Sequence, residues 1–147
     1  MAERPPSHTS NMQEELITQG WHFEPGDGFM ALVGGLWYRR KDNTTEFGFP
    51  STDMHANRGG VVHGGMLSAF VDRAFGQMAR ETSAVDRVVT ISLTVQFMIP
   101  MPIGQFATIA PKIVRMTGRL AFVEGTLICD SEPIVSAQGV WRLIRST

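Results

Sequence analysis

Cysteine is nearly absent: Cys129 is the only one in 147 residues, which excludes an internal disulfide and any thiolate metal cluster. It sits in a strand-like apolar run, where a buried, unreactive thiol is expected. Lysine is scarce as well, two residues against eleven arginines, and the formal charge is only -1. That balance offers no basic field to nucleic acid or to an anionic membrane surface. Arginine bonds carboxylate and phosphate bidentately, so a few of the eleven suit an anionic ligand. No run approaches the ~18 apolar residues of a membrane-spanning helix, and the opening Met1-Ala2-Glu3-Arg4-Pro5-Pro6 lacks the apolar core of a secretory signal. A cytoplasmic protein is the expectation.

Several chemical signatures are missing too. The stretch from Gly59 to Gly65 has neither the Lys-Ser/Thr ending of a phosphate loop nor the G-x-G-x-x-G spacing of a dinucleotide site. No Gly-x-Ser-x-Gly elbow occurs. His8, His22, His55 and His63 neither pair at a helical i+4 spacing nor group with acids, so no metal and no other cofactor is expected. The length suits one domain with a sizeable core, divided here into residues 1–20, an N-terminal tail with a short helix, and residues 21–147, the folded domain.

What is present begins with a polar, Pro-rich stretch over 1–9, read as disordered. Ser10 with Gln13 has capping-box spacing for a short helix that places Met12 and Leu16 on one face and ends at Gly20, a lid or clasp. Strand-like runs around Leu36 to Arg40 and Thr45 to Phe49 flank Asp42-Asn43, a hairpin signal. From Gly65 to about Thr82, apolar residues recur at 3–4 residue spacing, which predicts one helix with a broad apolar face. Ser68, Asp72 and Gly76 recur at i+4 on it as a small polar stripe with room for a ligand or another chain.

Beyond Asp86-Arg87 the period becomes two: Ile91, Leu93, Val95 and Phe97 face one way, and Thr90, Ser92, Thr94 and Gln96 the other. Further strands are expected at about Gln105 to Met116, Leu120 to Asp130 and Ile134 to Leu143, joined by Thr117-Gly118-Arg119 and by Asp130-Ser131-Glu132-Pro133. Short connections make neighbours antiparallel. The sum is an α+β fold in which six strands wrap one long helix.

Asn57-Arg58-Gly59-Gly60-Val61-Val62-His63-Gly64-Gly65 leads into that helix. Glycines there let a substrate approach bare N–H groups at the positive end of the helix dipole, a place for a carbonyl oxygen gaining negative charge. Asp72 lies about 12 Å further along at 1.5 Å per residue, too far to cap that end. A surface pair with Arg73 or Arg80 is its bland reading; for Asn57 it is a turn, and for His63 an orienting group.

The combination Asn57, His63-Gly64-Gly65, Asp72, Val89-Thr90-Ile91-Ser92-Leu93 and Phe97-Met98-Ile99-Pro100 closely resembles the hotdog-fold acyl-CoA thioesterases of the phenylacetate-pathway and thioesterase-superfamily-member-2 type, over about Phe29 to Leu143. The resemblance implies a hotdog fold, an antiparallel sheet around one central helix, with two chains pairing so that active sites lie between them. It implies that the Gly64 N–H polarises the thioester carbonyl, that Asn57 holds water or the carbonyl, and that Asp72 of the other chain is base or nucleophile. Thr90 would help align water. His63, Gly65, Ser68, Ser92 and Phe97 are read as lining the substrate, and Arg115, Thr117, Gly118 and Arg119 as lying along coenzyme A. The expected activity is hydrolysis of a medium-chain or aromatic acyl-CoA by a homodimer or dimer of dimers. A non-catalytic acyl-CoA binding module and an enoyl-thioester hydratase or dehydratase remain the rivals.

Overall fold

The apolar periodicity of Met66 to Ala79 organises the molecule. In a computed structural model that describes residues 8–146, these residues form the buried side of helix α3 (Gly64–Ser83), with Phe70, Val71, Ala74, Phe75 and Ala79 wholly inaccessible. Ahead of α3 come α1 (His8–Thr18), β1 (His22–Glu24), α2 (Gly28–Leu32), β2 (Leu36–Lys41), β3 (Thr44–Pro50) and a single 3₁₀ turn (Asp53–His55). After it come β4 (Arg87–Phe97), β5 (Phe106–Ile109), β6 (Lys112–Met116), β7 (Leu120–Cys129) and β8 (Glu132–Ile144). Among the described residues, eight strands make one sheet in the order β1-β2-β3-β5-β7-β8-β4, with β6 beside β7. Every pairing is antiparallel. The sheet curls around α3 and buries Phe47, Phe49, Ile109, Leu127, Val135 and Trp141 against it.

The hairpins follow from local chemistry. Asp42 and Asn43 both take positive φ (51° and 62°), as do Asp130 and Ser131 (49° and 62°), the geometry of two-residue turns whose twist matches that of the strands. The second turn is therefore shorter than Asp130 to Pro133. Glu132 and Pro133 already belong to β8, and Pro133 pairs with Ile128 where the ladder is irregular, a site that tolerates a missing N–H.

Three further expectations are corrected. Six strands become eight, because β1 is only three residues long and the run from Gln105 to Met116 is interrupted at Ala110-Pro111 into β5 and β6. Proline cannot donate to a ladder. The first helix begins at His8 rather than at a Ser10 cap, so Ser10 lies inside it. Residues 1–7 of the polar N-terminal stretch lie outside the described residues.

The third correction concerns β4. Its register slips between Thr90 and Ser92, so Ile91 is an extra, unpaired residue. A bulge of this kind reverses which side chains face inward. Thr90 pairs with the buried Trp141, and Leu93 and Val95 pair with the buried Gly139 and Ala137, so these three share the helix-facing side. Ser92, Thr94 and Gln96 pair with Val140, Gln138 and Ser136 on the outer side. Ile91 and Phe97 remain exposed.

The short α1 does clasp the domain. Its Leu16 joins Trp21 and Trp37 in a second buried cluster, with Met12 and Phe106 packed against it. Arg39 lies 4.6 Å over the Trp21 ring, donates to the Gln19 carbonyl and pairs with Glu46 across the β2–β3 ladder at 2.7 Å. Gly20, at φ 88°, supplies the left-handed turn between helix and sheet.

Candidate active site

The first turn of α3 accounts for its backbone donors one by one. His63 N–H donates to the His55 carbonyl at 2.7 Å, while Met66 and Leu67 donate to the His63 carbonyl. Gly65 N–H donates to His63 Nδ1 at 2.8 Å, so the His63 ring is the N-cap of the helix. A Cβ on Gly65 would stand 2.9 Å from that nitrogen, so the cap requires glycine there. Gly64 N–H alone in this turn meets no acceptor among the described residues, and helix geometry leaves it open to a ligand. The Phe97 ring rims the same point, 3.2 Å from where a Gly64 Cβ would lie.

Asn57 sits in the loop before the helix. Its Oδ1 accepts from Gly59 N–H at 2.8 Å and from Val61 N–H at 3.3 Å, so the amide oxygen is consumed by the turn. The NH₂ group is what Asn57 has to offer a substrate, a donor that suits a carbonyl or a water oxygen.

Two turns along the helix, Asp72 Oδ1 accepts from the Thr90 hydroxyl at 2.6 Å, a short charge-assisted bond. Neither Arg73 nor Arg80 takes the carboxylate: Arg73 donates to Gln77, and the one ion pair among the described residues is Arg39–Glu46. The β4 bulge makes this bond possible by turning Thr90 toward the helix. A cavity of about 230 Å³ opens beside the pair, lined by Asp72, Gly76, Thr90 and the buried Trp141, with Arg80 and Arg87 at its sides.

The structure separates other predicted site residues from these. Ser92 occupies the outer face of β4, across the sheet from Asp72. Ser68 turns its hydroxyl back onto the Gly64 carbonyl at 2.9 Å. Thr117 Oγ1 accepts from Arg119 N–H and Leu120 N–H and so builds the β6–β7 turn, leaving Gly118 and the arginines 115 and 119 exposed. Val89, Arg142 and Leu120 are in register across three adjacent strands, which puts that turn roughly 10 Å across the sheet from Val89. Cys129 is buried, and burial pushes its thiol pKa up, with the Asp130 carboxylate adding to the rise. It is a core side chain.

Two residues escaped the sequence reading. Trp141 beside Asp72 was legible only as an apolar position of a strand. His55, considered there as a metal ligand, has both ring nitrogens engaged by backbone groups; its place two residues before Asn57 is the signal that could have marked it.

A family model described as the Thioesterase superfamily matches residues 59–136. A Pseudomonas aeruginosa protein named "Putative esterase" is 29% identical over 92 residues, which cover 62% of this chain and 69% of that protein. Among solved structures, the PaaI protein from the phenylacetic acid degradation operon of E. coli superposes with a TM-score of 0.73 at 15% identity, over 96% of this chain and 97% of its own. Zebra fish thioesterase superfamily member 2 gives 0.73 at 18% identity, over 91% and 97%. At such identities the structural likeness speaks for the fold, and that fold is the hotdog.

Proposed function

This chain belongs to the thioesterase superfamily, and from that membership we propose that it hydrolyses a medium-chain or aromatic acyl-CoA to the free acid and CoA. One observation carries the reading: Asp72, a carboxylate with a hydroxyl partner and no ion pair among the described residues, stands on the same helix as a backbone donor with no acceptor among them, Gly64 N–H. The thioester carbonyl accepts from Gly64 N–H and from the Asn57 NH₂. Water attacks the carbonyl carbon as Asp72 takes its proton, and the tetrahedral oxyanion collapses by expelling the CoA thiolate, which recovers that proton. A thioester is already activated, so a polarised carbonyl and a base suffice, and the scheme calls for no metal or redox group. Arg115 and Arg119 at the β6–β7 turn suit the nucleotide phosphates. A reducing, cytoplasmic setting fits a chain whose one cysteine is a buried thiol.

Within one chain the two halves are about 12 Å apart along α3, beyond reach of a common carbon atom. Strand β4 suggests how a second copy closes the distance. It is an edge strand with Val89, Ile91 and Phe97 exposed, an open ladder of a kind that soluble chains usually cover. Thr90, beside Asp72, and Phe97, beside Gly64, lie on this same strand. Antiparallel pairing of two copies about a two-fold axis near Leu93-Thr94 sets Thr90 of one opposite the partner subunit's Phe97, and so sets Asp72 toward the partner subunit's Gly64.

The direct test is thiol release over short, medium, long and aromatic acyl-CoAs, with turnover expected for the medium-chain or aromatic members. Saturable binding without thiol release would instead indicate a binding module, and hydration of an enoyl-CoA without release a hydratase. The shared site has its own test. Mixing inactive Asp72→Asn chains with inactive Asn57→Ala chains should restore activity, because a mixed dimer holds one intact site. Random pairing makes about half the dimers mixed, so recovery should approach about a quarter of the parent rate. No recovery in dimers shown by mass spectrometry to be mixed would place both residues within one chain's site.

A further inference from the structure

We propose that His55 is a positioning residue that sets Asn57 against Gly64 by tying the first arm of the active-site loop to the segment before β2. The inference rests on the thioesterase reading of Asn57 and Gly64, and goes beyond it in assigning the residue that holds them in register. His55 is 6% exposed, and each polar atom of its ring is used. Nδ1 accepts from Thr52 N–H at 3.1 Å, and Nε2 meets the Val33 carbonyl at 2.6 Å. A backbone N–H needs an acceptor and a carbonyl needs a donor, so these partners select the neutral ring with its proton on Nε2.

The two arms of the loop are held differently. Residues 55–57 pair with 61–63 as a small hairpin: His63 N–H donates to the His55 carbonyl, Asn57 N–H donates to the Val61 carbonyl, and Ala56 bridges Val62. The second arm is anchored outside the loop, through Val62 N–H to the Met101 carbonyl and a bridge from Val61 to Pro102. The first arm, which carries Asn57, is exposed at Ala56, Asn57 and Arg58. Its side-chain tie to the rest of the fold is the His55 ring, which crosses 22 positions in sequence to Val33. Val33 packs against the main core and is followed by Gly34 and Gly35, both at positive φ, so the carbonyl is presented by a fixed turn. A buried ring spanning two segments by opposite hydrogen bonds is a strut, and Asn57 stands two residues from its attachment.

Two substitutions divide the ring into its halves. Asn at 55 places its amide oxygen where Nδ1 was, keeping the bond to Thr52 and losing Val33. Gln at 55 reaches toward the Nε2 position, keeping a donor for Val33 and losing the acceptor for Thr52. If His55 positions Asn57, His55→Asn lowers kcat about 10- to 100-fold, as expected of an ångström-scale displacement of a catalytic donor, with KM changed by less than about threefold. His55→Gln stays within about fivefold of the parent. In parallel, backbone amide exchange across 55–63 accelerates in His55→Asn and not in His55→Gln, at equal folded fraction. The reverse order, Asn active and Gln impaired, would reduce the ring to a local cap for Thr52 and overturn the proposal. Equal losses that track melting temperature would reduce it to core filling, and two fully active variants would leave it no positioning role. The exchange measurement needs no substrate, so a parent protein that releases thiol from no acyl-CoA defeats the thioesterase reading while the Val33 tie is still decided.

Discussion

Asp72→Asn should turn over acyl-CoA about 10²–10⁴-fold more slowly than the parent, the range supplied by a positioned acid–base group. The substitution is nearly isosteric. Asparagine keeps an oxygen that can accept from the Thr90 hydroxyl, the bond that holds Asp72 at 2.6 Å, so melting temperature should hardly move. What disappears is the capacity to take a proton from water. Thr90→Val tests the other end of the same bond: it leaves the carboxylate but removes its orienting hydroxyl, and a smaller loss is expected, about tenfold, since the base persists. Thiol release under saturating substrate, with a thermal melt of each variant, decides the matter. An Asp72→Asn enzyme within about threefold of the parent would remove Asp72 from the chemistry.

Much of this arrangement is written locally in the chain. The α3 pattern is strong because apolar residues recur over about four turns and are bracketed by His63-Gly64 and by Ala84, whose φ of 54° ends the helix. Asp42-Asn43 works as a hairpin signal because both residues tolerate positive φ. Elements of three to five residues, β1 and α2, are too short to show a period and are held by neighbours: Phe23 by the Trp37 ring at 5.2 Å, α2 by turns at Gly26 and Gly28.

The β4 bulge shows where periodicity misleads. Strict alternation groups Thr90 with Ser92, and both read as polar outward positions. One unpaired residue, Ile91, sends Thr90 to the helix side and leaves Ser92 outside. A slip of one position inverts every side chain beyond it, and nothing in Thr-Ile-Ser announces the slip. The cause lies in the pairing with β8, where Thr90 meets Trp141 and Ser92 meets Val140. At the loop, residue types marked the segment but not how its polar groups are spent. Two glycines offer two N–H groups to a substrate on paper. The fold gives one to the His63 ring and leaves only Gly64, and it turns the Asn57 oxygen inward so that its NH₂ is the remaining group.

Gly64→Val should cost activity about as much as losing an oxyanion-hole donor, roughly 10²–10³-fold in kcat. Gly64 has no positive φ to lose, so a side chain is tolerated by the backbone, and the effect comes from space. A Cβ there lies 3.2 Å from Phe97 Cζ and 3.4 Å from Cε1, tight enough that the ring must shift, and the two methyl groups beyond it occupy the approach to the free N–H. Phe97 is 55% exposed in the single chain, so a shift of its ring leaves the core intact and the fold should survive, with any strain falling on the proposed dimer seam. Two causes of inactivity are thereby separable. If the damage is collision with Phe97, the double variant Gly64→Val/Phe97→Ala recovers most of the lost rate. If the methyl groups keep the carbonyl from the N–H, relieving the ring does not bring the rate back, and Gly64→Ala, with one carbon instead of three, falls between parent and Val. The expected result is the second, with melting temperatures close to the parent throughout. Normal CoA release by a folded Gly64→Val protein would mean that the carbonyl does not bind at this N–H.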